Sequence, residues 1–286
     1  MEAQLKEFIR DLKERQNRSE NTLLSYERDI RQLLRWLEPL RIVRAEAVSP
    51  MELKNYILYL QESGKTASTI SRCVASIRAY FLYLTERGVL IRDPAETLRA
   101  PRVVRKAPQV VSEEEVRRLL AQPDDRTAKG LRDKAMLELL CHTGMRVSEL
   151  ITLRLDEVDA ARRLIAVEAE EASKCRQVPC QKRMLKLLQR YVREARPKLI
   201  LDETEELLFV NCSGEKMTRQ GFWKVLKQYG RAAGIETEIT PHVMRHSYAV
   251  HALACGGDVR RIQELMGRKD SAGMHRYVIL SEQFRP

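Results

Sequence analysis

Four stretches in the second half of the chain carry residues that could do chemistry. They are Thr143–Leu150, Thr240–Ser247, Ile262–Arg268 and the single Tyr277. Arginine stays charged and grips phosphate oxygens, histidine exchanges protons near neutral pH, and tyrosine can act as a nucleophile. Taken singly, each has an ordinary explanation: a surface arginine, a helical pair of His242 and Arg245, or a tyrosine that packs in a terminal helix.

Composition favours a folded protein with a polyanionic partner. The chain has 286 residues, of which 44% are hydrophobic and 32% charged, so it can bury a core and is not disordered. Its 51 Lys and Arg outnumber its 40 Asp and Glu, for a net charge of +11. Counting along the sequence gives 16 basic and 14 acidic residues in 1–98 (+2), and 35 and 26 in 99–286 (+9). This excess of positive charge points to nucleic acid as the partner, and most of the charge lies in residues 99–286.

The sequence predicts a cytoplasmic protein. No run of eighteen apolar residues is present, and the first sixteen residues mix charged with apolar positions, so neither a membrane span nor a secretory signal is predicted. The six cysteines form no C-x-x-C motif and are interpreted as reduced thiols.

Residues 1–98 are predicted to form a helical domain. Apolar residues recur at helical spacing, and Ser49-Pro50-Met51-Glu52 combines an N-cap, a proline at the first helical position and a capping-box glutamate. Residues 99–109 hold prolines and basic residues without apolar periodicity, which predicts a basic linker. A solvated hinge explains that composition equally well.

Residues 110–286 are predicted to form a second domain, which opens at a capping box from Ser112 to Glu115. Its predicted elements are helices at about 113–121, 130–142, 181–195, 218–230, 241–254, 258–266 and 270–278, with β-type runs at 164–167, around 177–178 and at 207–210. The fold class is therefore mainly α, with a mostly helical α+β second domain that holds a small sheet.

Together the four stretches resemble the tyrosine recombinase family of phage-type integrases, most closely its Xer-type members. The motifs that carry the resemblance are T-G-x-R-x-S-E-L from Thr143, H-x-x-R-H-S from His242, the L-x-G-x turn that ends at Arg268, and then Tyr277. The resemblance covers nearly the whole chain, including a helical N-terminal domain of the core-binding, SAM-like type. It implies an antiparallel sheet within a recombinase catalytic domain.

The resemblance assigns roles residue by residue. Arg146 and Arg245 would clamp the scissile phosphate, His242 would be the acid or base, and Tyr277 would be the nucleophile that forms a 3′-phosphotyrosyl bond. The family needs no metal or cofactor. The implied partner is double-stranded DNA, bound by a homotetramer or by a heterotetramer with a second recombinase, with no small-molecule substrate and no membrane.

Two further residues near these motifs are given more modest roles. Glu149 either supports the site or forms an ordinary helix salt bridge, and His246 is interpreted as structural. A zinc site at His242, His246 and His251 is not predicted, because Arg245 would repel a cation and no glutamate stands where a metalloprotease has one.

Two positions depart from the family pattern. Where the family places a hairpin lysine that protonates the leaving 5′ oxygen, counting back from Pro179 finds Glu171, and Lys174 matches a second, less critical lysine. Lys174 could still reach the site. Arg268 stands where the family has His or Trp, and arginine is a poor proton shuttle.

These departures leave an alternative open, namely a catalytically weakened or inactive DNA-binding relative. A topoisomerase that relaxes DNA without strand exchange would share the same chemistry.

Overall fold

The computed structural model describes residues 1–16, 18–102, 108–168, 175–268 and 272–285. The chain forms two compact units, Met1–Lys106 and Ala107–Pro286. Residues 103–107 of the predicted linker lie outside the described residues, as do Glu171 and Lys174.

The first unit is helical, as predicted. Its helices are α1 (Glu2–Glu14), α2 (Glu20–Leu37), α3 (Pro50–Glu62) and α4 (Ala67–Glu86). The capping box predicted at the start of α3 is present: Ser49 donates its backbone N–H to the Glu52 carboxylate at 2.9 Å, and its hydroxyl accepts from Met51 N at 3.1 Å. Ser19 and Thr66 cap α2 and α4 with their hydroxyls alone, which accept from Thr22 N and Thr69 N.

The core of this unit comes from the apolar face of each helix. Phe8 of α1 and Tyr80 of α4 pack edge to face with ring centroids 5.4 Å apart, and both are buried. The buried Asp29 of α2 accepts hydrogen bonds from Arg72 and Ser76 of α4, which satisfy its charge inside the bundle.

The second unit combines helices with a small antiparallel sheet. Its helices are α5 (Glu113–Leu120), α6 (Ala128–Thr143), α7 (Val147–Thr152), α8 (Lys182–Arg190), α9 (Arg219–Ala232), α10 (Pro241–Ala254), α11 (Val259–Leu265) and α12 (Ala272–Ser281). The described strands are β1 (Val158–Asp159), β2 (Leu164–Val167) and β3 (Arg176–Pro179), in the order β1-β2-β3. Ile165 pairs with Val178, so both side chains point into the core. The predicted mainly α class with a small sheet is confirmed.

The strand predicted at 207–210 is wrong. Leu207 and Val210 form only isolated bridges. Side chains take the carbonyl oxygens that a neighbouring strand would have used: Tyr191 donates to Leu208 O at 3.0 Å, and Arg132 donates to Val210 O at 3.0 Å. The run is apolar because it is buried, and its backbone polar groups find hydrogen-bond partners without pairing to a neighbouring strand.

Two glycine turns bring the motif residues together. Gly144 ends α6 and Gly267 follows α11, both with left-handed backbone, at φ 62° and φ 60°. A Cβ on Gly144 would collide with the ring of Tyr248 of α10. Glycine at position 144 therefore lets α10 pack closely against the end of α6.

Candidate active site

Arg146 is fixed at the N-terminus of α7. Its backbone N–H donates to one Glu149 carboxylate oxygen at 2.6 Å, and its Nη1 donates to the other at 2.7 Å. Its Nη2 donates to the carbonyl of Gly267 at 2.8 Å. These bonds hold the guanidinium between two glycine turns that lie 123 residues apart in sequence, while 45% of the side chain stays exposed.

Arg245 is buried on α10 and ties the same two turns together. Its Nη1 donates to Gly144 O at 2.6 Å, and its Nη2 donates to Met266 O. Burial, followed by the charge of the nearby Arg146, lowers the pKa of Arg245 to about 9. The guanidinium therefore keeps its charge at neutral pH, held ready for an anion.

Glu149 accepts hydrogen bonds from the guanidinium groups of both Arg146 and Arg176. It is buried, and besides Arg146 it accepts two bonds from Arg176 of β3, at 2.9 Å and 2.7 Å. Burial alone would raise the pKa of Glu149, but the hydrogen bonds from Arg176 and Arg146 lower it below its ordinary value. Of the two interpretations left open by the sequence, these contacts favour support of the site.

We expect Glu149→Gln to destabilise the protein at neutral pH. An amide cannot balance two guanidiniums, and losing one partner of a buried ion pair costs ~3–5 kcal/mol. Since the folded pKa of Glu149 is lowered, its stabilisation is present above the unfolded pKa of about 4.3 and is lost as pH falls through the folded pKa. Urea unfolding at pH 7 and below pH 4 measures both effects.

The matched control is Glu194→Gln, which removes an exposed carboxylate that pairs with Arg190 and Arg193. It should change stability little. A deficit of Glu149→Gln that stays constant down to low pH would contradict the ionic role of Glu149.

Tyr277 is buried on α12, with 1% of its surface exposed. Its hydroxyl is hydrogen-bonded to Nδ1 of His246 and accepts from Nη2 of Arg268 at 2.7 Å. The Arg268 guanidinium also lies 5.0 Å from the centre of the Tyr277 ring. Burial raises the pKa of Tyr277, although Arg268 and Arg245 oppose that rise.

His242 and His246 lie one turn apart on α10, with ring centroids 4.4 Å apart and the planes steeply inclined. Burial lowers the pKa of His242, and the charges of Arg268 and Arg245 lower it further. Burial, followed by His242 and the same two arginines, lowers the pKa of His246 to about 4. Both imidazoles are therefore neutral at neutral pH.

An open pocket of about 860 Å³ joins Arg146, His242, Arg245 and Arg268. Its lining consists of Arg146, Val147, Ser148, Arg219, Trp223, Thr240, Pro241, His242, Arg245, Gly267 and Arg268. No carboxylate of the described residues is among them. Four guanidiniums around one pocket create a strongly positive field that suits an anionic group such as a phosphate. Tyr277 lies behind Arg268 rather than in the lining.

Of the predicted site residues, the structure brings together Arg146, His242, Arg245, Arg268 and Tyr277. Lys174 falls in 169–174, outside the described residues. Sequence reasoning missed Arg176, Arg219 and Trp223, and it interpreted His246 as structural although His246 contacts the Tyr277 hydroxyl. Arg176 lies between Lys174 and Pro179, in the hairpin segment used to place the family's lysine, whereas Arg219 and Trp223 belong to no motif.

In the described ranges, no group of three or more His, Cys, Asp and Glu residues is arranged to hold a metal ion. No helix of those ranges is long and apolar enough to cross a membrane. The six cysteines are all free.

Comparison with known proteins identifies the family. Residues 109–283 match the Phage integrase family, and residues 5–88 match the Phage integrase N-terminal SAM-like domain. Tyrosine recombinase XerD of Listeria monocytogenes serotype 4b (strain F2365) is 35% identical over 268 residues, which cover 93% of this chain and 90% of that protein. The chain belongs to the phage integrase family of tyrosine recombinases.

A further relative agrees with that assignment, and a solved structure has the same fold. Tyrosine recombinase XerC of Roseiflexus castenholzii (strain DSM 13941 / HLO8) is 36% identical over 286 residues, which cover 99% of this chain and 90% of that protein. The XerH site-specific recombinase in a post-cleavage complex with its palindromic difH substrate shares the fold, with a TM-score of 0.79 at 18% identity. That likeness covers 99% of this chain and 82% of the other. This tyrosine recombinase is thus a site-specific recombination enzyme of the Xer type.

Proposed function

We propose that this tyrosine recombinase binds duplex DNA and cleaves and rejoins it through a 3′-phosphotyrosyl intermediate. The observation that carries the proposal is the pocket in which Arg146, Arg245 and Arg268 converge, with Tyr277 directly behind Arg268. A phosphodiester gains negative charge on its non-bridging oxygens when it is attacked. Preorganised guanidiniums stabilise that charge most where water is excluded.

The proposed step balances within these groups. The Tyr277 hydroxyl oxygen forms a bond to phosphorus and gives its proton to a base. The bond from phosphorus to the 5′ oxygen breaks, and the leaving oxygen takes a proton from an acid. His242 lines the pocket and is the acid/base candidate, and Lys174 is the other proton donor that we propose. The covalent bond conserves the energy of the cleaved linkage, so rejoining needs no nucleotide cofactor.

We further propose that both domains, 1–98 and 110–286, contact the duplex, with the basic linker 99–109 between them, and that recombination uses four protomers. The net charge of +9 in residues 99–286 supports the phosphate contacts of the second domain. DNA complexes of the XerH recombinase and of a lambda integrase dimer support DNA as the partner. The tetramer contains either four copies of this chain or copies of this chain together with a second recombinase.

Covalent capture tests the proposal. The protein is incubated with fragmented genomic DNA of its source, and retained DNA is counted before and after a denaturing wash. Retention after denaturant supports the phosphotyrosyl chemistry, and sequencing the captured DNA gives the target site. Retention only before denaturant would favour the inactive DNA-binding alternative. No retention in either wash would contradict DNA binding itself.

The leaving-group acid is tested at Glu171 and Lys174. If Glu171 occupies the acid's place, Glu171→Lys should speed cleavage of a captured site, by up to the ~10²-fold that a general acid supplies. If Lys174 is the acid, Glu171→Lys should change little and Lys174→Ala should be inactive. Single-turnover cleavage of one synthetic duplex by the two variants measures this. Equal rates for both variants and the unaltered protein would exclude both residues as the acid.

A further inference from the structure

The hydroxyl of Tyr277 has two hydrogen-bond partners of different chemistry. Among the described residues these are Nη2 of Arg268, at 2.7 Å, and Nδ1 of His246. A guanidinium has only donor N–H groups, so Arg268 occupies a lone pair of the hydroxyl oxygen and cannot receive its proton. Because the hydroxyl is buried, its own hydrogen also needs an acceptor. The Nδ1 lone pair of His246 is that acceptor, which places the imidazole hydrogen on Nε2.

We infer that His246 accepts the proton of the Tyr277 hydroxyl as that oxygen attacks phosphorus. The inference deepens the proposed function and rests on it. As the bond from oxygen to phosphorus forms, the proton passes to Nδ1, and His246 becomes an imidazolium. The leaving 5′ oxygen takes a different proton, from His242 or Lys174. In rejoining, the bond from phosphorus to Tyr277 breaks and His246 returns the proton to the phenol oxygen.

Four neighbours set the charge around this imidazole. His242 and Arg245 face His246 from its own helix α10, Arg268 faces it from the turn after α11, and Tyr277 faces it from α12. With its pKa near 4, His246 holds a free lone pair at neutral pH but retains a proton poorly. A bound phosphodiester would offset the positive charge of Arg245 and Arg268, which raises the proton affinity of His246. Proton transfer is therefore coupled to phosphate binding.

The test variant is His246→Asn. The asparagine side chain can place an oxygen near the position of Nδ1 and keep a hydrogen bond to Tyr277, but it cannot take up a proton. The probe is a nicked synthetic duplex of the sequence recovered by covalent capture, on which the adduct accumulates. We expect adduct formation at pH 7 to fall about 10²-fold or more, with DNA affinity and thermal unfolding close to those of the unaltered protein.

Two further readouts separate proton transfer from positioning. In His246→Asn the rate should rise about tenfold per pH unit, because the buried phenol must then ionise without a local base. A 5′-bridging sulfur in the probe, which leaves without needing a proton, should not rescue His246→Asn, whereas it should rescue a variant that lacks the leaving-group acid.

The matched control is His251→Asn, which alters another histidine of α10 whose Nε2 is hydrogen-bonded to Val111 O at 2.7 Å, outside the pocket. It should form adduct at the normal rate. A normal rate in His246→Asn would overturn the inference, and so would a loss that raising the pH does not relieve. Failure of the unaltered protein to form any adduct would instead overturn the proposed function, and the inference with it.

Discussion

Replacing Tyr277 by phenylalanine should abolish the covalent complex with DNA while leaving DNA affinity nearly unchanged. The substitution removes only the hydroxyl that contacts His246 and Arg268. The ring keeps its place in the buried cluster with Val250 and Met274, so α12 should stay folded. Denaturing gels measure the adduct, and gel shifts of the same duplex measure affinity.

Tyr248→Phe is the control for that experiment. Tyr248 packs against the same cluster and against Gly144, so its hydroxyl can be removed from a similar environment. Adduct formation should survive in this variant. An adduct that persists in Tyr277→Phe would show that another side chain is the nucleophile.

Replacing Arg245 by lysine should lower single-turnover cleavage by roughly 10²–10³-fold, the cost typical of losing one preorganised donor to the developing charge. Lysine keeps the charge but has no planar fork with which to bridge Gly144 O and Met266 O. Two carbonyl groups then lose a donor, so stability should also fall, by about 1–3 kcal/mol. Cleavage kinetics and urea unfolding separate the two effects.

Arg196→Lys is the matched control, because Arg196 is also buried and donates to backbone carbonyls, including Leu207 O at 2.8 Å, away from the pocket. Arg196→Lys should be less stable than the unaltered protein. Its cleavage rate should be normal when the assay uses folded protein and saturating DNA. If Arg245→Lys behaves in the same way, Arg245 holds the turns together without acting on the phosphate.

Local sequence was sufficient to predict the helices and the kinds of side chain that the site contains. Capping boxes at Ser49 and Ser112 specify helix starts through contacts three residues apart, and apolar periodicity specifies the buried face of each helix. The order and spacing of Arg146, Arg245 and Tyr277 indicated the tyrosine recombinase family, which the comparisons confirm. These features depend on neighbours within one or two helical turns or on a linear motif.

Only the tertiary structure decided which partners these residues have. Arg245 is buried against carbonyls 101 and 21 residues away, and Glu149 binds Arg176 from a strand 27 residues on. The run at 207–210 has the composition of a strand, yet distant side chains satisfy its carbonyls.

The contact of His246 in the active site is another that local sequence could not predict. In sequence His246 belongs to the H-x-x-R-H-S motif that starts at His242, and there it is interpreted as structural. In the fold its Nδ1 meets the Tyr277 hydroxyl, from 31 residues away. Which lone pair lies next to which hydroxyl depends on how α10 and α12 pack together, and a local pattern carries no information about that packing.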